Sequence, residues 1–127
     1  MAYLLDTHTF LWMRHAPDRL GERARAVCGE VSAELVLSLA SAWEIAIKLS
    51  IGKLRLNEPL REVLADARTR GISSLAIKET HVLRVRELPL HHRDPFDRIL
   101  AAQALVEGLT FLSIDEAFDA YAVPRVW

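Results

Sequence analysis

The sequence predicts an α/β fold around a mainly parallel sheet, and three observations carry that expectation. Short apolar runs alternate with stretches of helical periodicity along the chain. The runs are nearly uninterrupted, as strands covered by helices on both faces read. Acids stand where runs end, at Asp6 and Asp115, the pattern of strand ends opening onto one edge.

The first run, "AYLL" (2–5), stops at Asp6 and opens directly into a helical segment, "THTFLWMRHA", closed by Pro17. In "DRLGERARAVCGE", Leu20, Ala24, Val27 and Cys28 fall at helical spacing, and "AELVLSL" (33–39) predicts the second strand. "SAWEIAIKLSIGKL" follows with Trp43, Ile47 and Ile51 four apart, ending near Gly52. Pro59 opens a helix with Leu60, Val63, Leu64 and Ala67 on one stripe, stopped by Gly71. "ISSLAI" (72–77) reads as a short strand, "KETHVLRVREL" as a helix and "PLHHRDP" as a loop. Pro95 to Glu107 has the strongest helical pattern, ended by Gly108, and "LTFLSI" (109–114) is the next strand. "DEAFDAY" predicts one more helical turn. "AVPRV" suits an edge strand, because Pro124 has no N–H for a ladder. Right-handed crossovers are expected between parallel strands.

At 127 residues, with neither an internal repeat nor a linker, residues 1–127 are expected to form a single domain. The composition is 51% hydrophobic and 26% charged, which excludes a disordered chain. Sixteen Lys and Arg against seventeen Asp and Glu leave a formal charge of -1, so no global positive field recruits a polyanion. The lone Cys28 excludes an intrachain disulfide and any site built on several thiolates. "MAYLLDTHTFLW" has no basic n-region and meets Asp6 early, so neither a signal peptide nor a membrane span is read there and the expected location is the cytoplasm.

Four acids are expected to converge. Asp6 and Asp115 follow strands, Glu44 is placed in the first turn of the helix after the second strand, and a parallel sheet aligns those ends along one edge. With Asp94 as N-cap and Pro95 at the first helical position, Asp97 falls at N3 and joins them. Singly, each acid is explained by capping, and Ser41 with Glu44 even matches the S-x-x-E capping box. Together, four carboxylates repel unless a cation compensates them. Mg²⁺ takes such oxygen ligands along with substrate phosphate oxygens, which points to water-dependent phosphodiester hydrolysis.

On "LLDTHTFLW", "SLASAWEIAIK", "LPLHHRDPFDRILAAQA" and "LSIDEAFDAY", the chain resembles, over essentially its full length, a PIN-domain ribonuclease of the VapC toxin family of type II toxin-antitoxin modules. The resemblance implies a three-layer α/β/α sandwich binding Mg²⁺ or Mn²⁺ and cleaving RNA, commonly a tRNA or a ribosomal RNA loop, so that translation stops. Carried onto this sequence, it makes Asp6 and Asp97 the first-choice metal ligands. Glu44 and Asp115 complete the catalytic quartet, Asp115 also beside the metal. Ser113 supports a carboxylate or a bound water. It also implies a VapB antitoxin partner and a homodimer.

Arg98 is a candidate for the acids, a phosphate or an acidic antitoxin group, against a plain surface charge. Lys48 reads as an i,i+4 partner of Glu44. His8, His91 and His92 lack a zinc spacing and are expected on the surface or in loops; His81 reads as structural. Trp12 and Trp43 are expected in the core, Gln103 away from the acids and Trp127 exposed. Arg14, Arg19, Arg23 and Arg25 read as a solvated face that could also rim an RNA path. The alternative function is a phospho-acceptor or metal-binding signalling or interaction domain without nuclease activity. The first of these wants a Lys after a late strand, where "LSID" ends in Asp; a haloacid-dehalogenase-like phosphatase wants D-x-D after the first strand, where Asp6 is followed by "THT".

Overall fold

The computed structural model describes residues 1–127. In chain order the elements are β1 (Ala2–Leu5), α1 (Thr7–His15), a 3₁₀ turn (Pro17–Arg19), α2 (Glu22–Cys28), β2 (Glu34–Ser38), α3 (Leu39–Ser50), α4 (Leu60–Thr69) and β3 (Ser73–Leu75). They continue with α5 (Glu79–Glu87), α6 (Pro95–Glu107), β4 (Thr110–Leu112), a second 3₁₀ turn (Glu116–Tyr121) and β5 (Arg125–Val126). All strand pairs are parallel, in the order β3-β2-β1-β4-β5. The chain thus runs outward from β1 through β2 to β3, then returns to the other side of β1. That reversal between β1 and β4 is where an open α/β sheet leaves a crevice.

Side chains alternate across the central strands, so each face feeds its own core. Tyr3, Leu5 and Leu112 pack with Phe10 of α1, Ala24 of α2 and Val63 and Ala67 of α4. Leu4 and Phe111 pack on the opposite face with Leu100, Ala101 and Ala104 of α6 and with Phe118. The result is the expected α/β/α layering. Leu4, Leu5, Phe10, Leu100, Phe111 and Leu112 are almost wholly removed from solvent, each worth about 1.5–3 kcal/mol relative to exposure. Small residues on α6 (Ala101, Ala102, Ala104) let that helix lie close on the sheet.

Several details depart from the sequence reading. Helix α3 begins at Leu39, because Ser38, not Ser41, caps it: the Ser38 hydroxyl accepts from the Ala40 N–H (3.0 Å) and donates to the buried Gln103 carbonyl oxygen (2.6 Å). The Ser41–Glu44 capping box does not form, and Glu44 sits in the second turn. Trp43 is not core but 59% exposed, while Trp127 is half-buried against Trp12. The edge position of β5 beside β4 agrees with the expectation from Pro124. No helix is long and apolar enough to cross a membrane.

Candidate active site

The main chain sets the geometry before any side chain acts. Leu5 of β1 and Leu112 of β4 are register partners, and the Asp6 N–H donates to the Leu112 carbonyl (3.0 Å), so positions 6 and 113 emerge side by side. Asp6 caps α1: its Oδ1 accepts from the Thr7 N–H (2.7 Å), and its Oδ2 accepts from the Ser113 hydroxyl (2.7 Å). Ser113 is fully buried and also accepts from the Asp115 N–H (3.0 Å), which ties the two acids through one hydroxyl. Asp115 in turn caps the second 3₁₀ turn through the Ala117 N–H (2.9 Å).

Glu44 reaches the same region from the second turn of α3. Its Oε1 accepts from the Thr7 hydroxyl (2.7 Å) and its Oε2 pairs with Lys48 at 2.9 Å, the expected i,i+4 contact. Both oxygens of this buried acid are thereby engaged. Asp94 caps α6 as expected, accepting from Phe96 and Asp97 N–H groups (2.8 and 3.3 Å), with Pro95 at the first helical position. Asp97 is aimed by that start into a cleft of about 380 Å³ lined also by Asp6, Glu44, Asp94, Asp115 and His8.

Electrostatics separates Asp97 and Asp6 from ordinary caps. Burial, then the negative charges of Asp94 and Asp6, pushes the Asp97 carboxyl from the usual 3.8 up to about 7. Burial also raises Asp6, against the lowering effect of its Ser113 bond. The cleft therefore holds more negative charge than its own cations balance. Its donors are hard carboxylate oxygens and, at its rim, the imidazoles of His8 and His92. That set fits a hard divalent cation such as Mg²⁺ or Mn²⁺, with the donor atoms of Asp97 and Asp115 close together and Asp6 lining the same cleft.

The histidines contain the residue that the sequence reading missed. His92 is not a bystander in its loop: its Nε2 lies 3.0 Å from Asp97 Oδ2 and 3.5 Å from Asp115 Oδ2. The donor atoms of His92, Asp97 and Asp115 all fall within 4.8 Å of one another. The loop is held by the Tyr121 hydroxyl, which accepts from the His92 N–H (2.7 Å), and His92 Nδ1 accepts from the Asp94 N–H (3.2 Å). With Nδ1 accepting, the neutral ring carries its proton on Nε2 and donates it to the acids. Its proximity to Asp97 in sequence was the available signal, but loop residues have no periodicity to aim them.

Arg98 lies elsewhere. Its guanidinium donates to the carbonyls of Pro89 (2.9 Å), Val85 (2.9 Å) and Leu88 (3.3 Å) and to the Tyr121 hydroxyl (3.4 Å), closing the end of α5 and the following loop, and it lines the apolar groove beside Phe96. Gln103 points away from the acids into a buried network with Ser38 and the Ala76 carbonyl, and His81 is buried beside it, donating towards Glu107 (3.0 Å).

Known proteins resemble this chain in sequence and in fold. The chain is 39% identical over 74 residues to Ribonuclease VapC16 of Mycobacterium tuberculosis, a match covering 58% of this chain and about half (52%) of that protein. It is 28% identical over 131 residues to Ribonuclease VapC22 of the same organism, covering 98% and 97% of the two chains. A crystal structure of VapBC2 from Rickettsia felis, bound to a DNA fragment from its promoter, has the same fold, with a TM-score of 0.73 at 15% identity over 99% of this chain and 98% of that one. The PIN domain profile matches residues 3–124, nearly the whole chain, and the protein belongs to the PIN-domain family.

Proposed function

We propose that this protein is the toxin of a type II toxin-antitoxin module, a Mg²⁺- or Mn²⁺-dependent endoribonuclease. The observation that carries the reading is the convergence of Asp6, Glu44, Asp97 and Asp115 on one cleft whose repulsion Lys48 and His92 compensate only in part. Names of relatives as ribonucleases, and the toxin-antitoxin complexes among the structural neighbours, support it. Residues 1–127 act as a single PIN domain in the cytoplasm, and the target is a tRNA or ribosomal RNA whose cutting stops translation.

Asp6, Asp97 and Asp115 would hold the cation, which when bound would neutralise charge at the phosphate and lower the pKa of a water. Ser113 and Thr7 fix the orientations of Asp6 and Glu44, and Lys48 pairs with the second oxygen of Glu44 at 2.9 Å. His92 holds Asp97 and Asp115 as a pair through its Nε2–H. These carboxylates position the water for attack, without a covalent enzyme intermediate.

A VapB-type antitoxin fits the apolar groove of about 520 Å³ beside the cleft, lined by Trp43, Val82, Val85, Leu90 and Phe96, with Arg93 available to an acidic group. Exposed apolar residues on α3 and α5 also suit a homodimer. Brief induction of the protein, followed by mapping of new RNA ends, tests the reading and identifies the target. Discrete cuts are expected with the wild type and none with Asp6→Asn. Equal cutting by the folded variant in fresh Mg²⁺ would sink it, and an interaction module whose acids only cap helices predicts no cutting by either.

A further inference from the structure

Helix α1 carries a row of aromatic rings away from the acidic cleft that the proposed reaction does not use. His8 is exposed and lines the cleft. One turn along, its ring stacks on Trp12, with centroids 5.8 Å apart and 30° between the planes. The Arg19 guanidinium lies 5.6 Å from the Trp12 centroid, and Trp127 meets Trp12 edge-on at 5.8 Å and 62°. The seat for Trp127 is built into the chain at Gly21, where a Cβ would come within 2.6 Å of the indole. Trp12 is thus braced by Trp127 and Arg19, and His8 rests on a fixed support.

The early arginines divide in a way that matches this row. Arg14 is committed to Glu58 (2.9 Å) and Asp66 (2.6 Å), and Arg25 reaches the Pro17 carbonyl (3.4 Å). Arg19 and Arg23 are exposed and belong to no ion pair. A helical i,i+4 contact alone accounts for a His–Trp pair, but not for its placement at the lip of the cleft or for an unpaired guanidinium on the same ring system. Planar rings next to free guanidinium groups are what unpaired RNA uses: bases stack on the rings, and phosphates meet the cations.

We infer that His8, backed by Trp12, is a stacking subsite for an unpaired RNA base adjoining the phosphate at the acids, with Arg19 receiving the flanking backbone. The inference rests on the ribonuclease reading above. Stacking requires a free base face, so the subsite selects loops and single strands over duplex. It also supplies the local attraction that a chain of net charge -1 lacks globally.

The test is the affinity of the whole protein for a short fluorescent single-stranded RNA at low salt in EDTA, where neither cleavage nor cation intervenes. His8→Ala is expected to weaken binding about tenfold, the scale of one stacked base, and His8→Phe to keep wild-type affinity. An abasic nucleotide moved along the RNA should, at one position, weaken the wild type by the same factor and leave His8→Ala unaffected. Unchanged binding by His8→Ala, His8→Phe as weak as His8→Ala, or a wild type that binds no such RNA each overturns the subsite. If the protein nevertheless cuts RNA in Mg²⁺, the subsite alone falls; if it neither binds nor cuts, the ribonuclease reading falls with it.

Discussion

Two charge clusters in this molecule use similar residues to opposite ends. On the outer side of α1 and α4, Arg14 and Arg70 face Glu58 and Asp66, two cations against two anions, at 2.6–2.9 Å. There the Arg14 hydrogen bond holds the Asp66 carboxyl below its usual range. At the other end of α1, the acids of the cleft outnumber their partners, and Asp97 is pushed up to about 7 by burial and neighbouring negative charge. A balanced cluster joins α1 to α4 with its charges matched. An unbalanced one is costly to fold and is kept where a ligand completes it.

The contrast can be broken most severely at Asp97. Asp97→Asn removes one charge at nearly constant volume and should cut RNA cleavage by at least about 100-fold, the scale of losing one preorganised electrostatic group. The same variant should melt higher than the wild type in EDTA and lose the stabilisation by Mn²⁺, both read by thermal denaturation.

A smaller effect concerns pH. Folded Asp97 holds its proton up to about 7, whereas an unfolded aspartate releases it near 3.8. Between those values the folded state binds more protons, so the metal-free protein should lose stability as pH rises through that window. Melting temperatures in EDTA from about pH 4 to 8 check the slope, and Asp97→Asn should flatten it. The opposite sign holds at Asp66, whose lowered pKa contributes stability above the unfolded value and loses it as pH falls. The smallest effect is expected from Arg14→Met, which should lower the melting temperature by only a few degrees, because both partners are partly exposed. Its Mn²⁺ stabilisation should match the wild type, and a loss of that response would erase the distinction between the clusters.

The sequence made the sheet and three of the four acid positions legible for one reason: strand ends and helix caps are local events. Asp6 and Asp115 end apolar runs, and Asp97 follows a Pro-marked helix start, so their directions follow from neighbours in the chain. Glu44 was placed one turn too early because Ser38 and Ser41 both make credible caps, and the choice is made by Gln103, which is 65 residues away in sequence from Ser38. His92 was invisible for a related reason, since the Tyr121 hydroxyl and the Asp94 N–H hold a segment with no repeat of its own. Trp43 failed differently. The four-residue spacing with Ile47 and Ile51 identified an apolar face correctly, but periodicity does not say what covers it, and all three residues remain exposed.

The pairing of Leu5 with Leu112 gives the cleft a ruler made of main chain. The separation of Asp6 from Ser113 is the spacing between adjacent strands, a length that no side-chain exchange can retune. Substitutions can therefore alter what the acids hold, but not how far apart their strands present them. An insertion or deletion within β1 or within Thr110–Leu112 would change which residues stand opposite each other at the cleft, and by reversing which face the shifted side chains occupy it would disrupt both cores at once. Substitutions on the outer surfaces of α3 and α5, where Trp43, Ile47, Val82 and Leu83 are exposed, leave that distance between strands untouched.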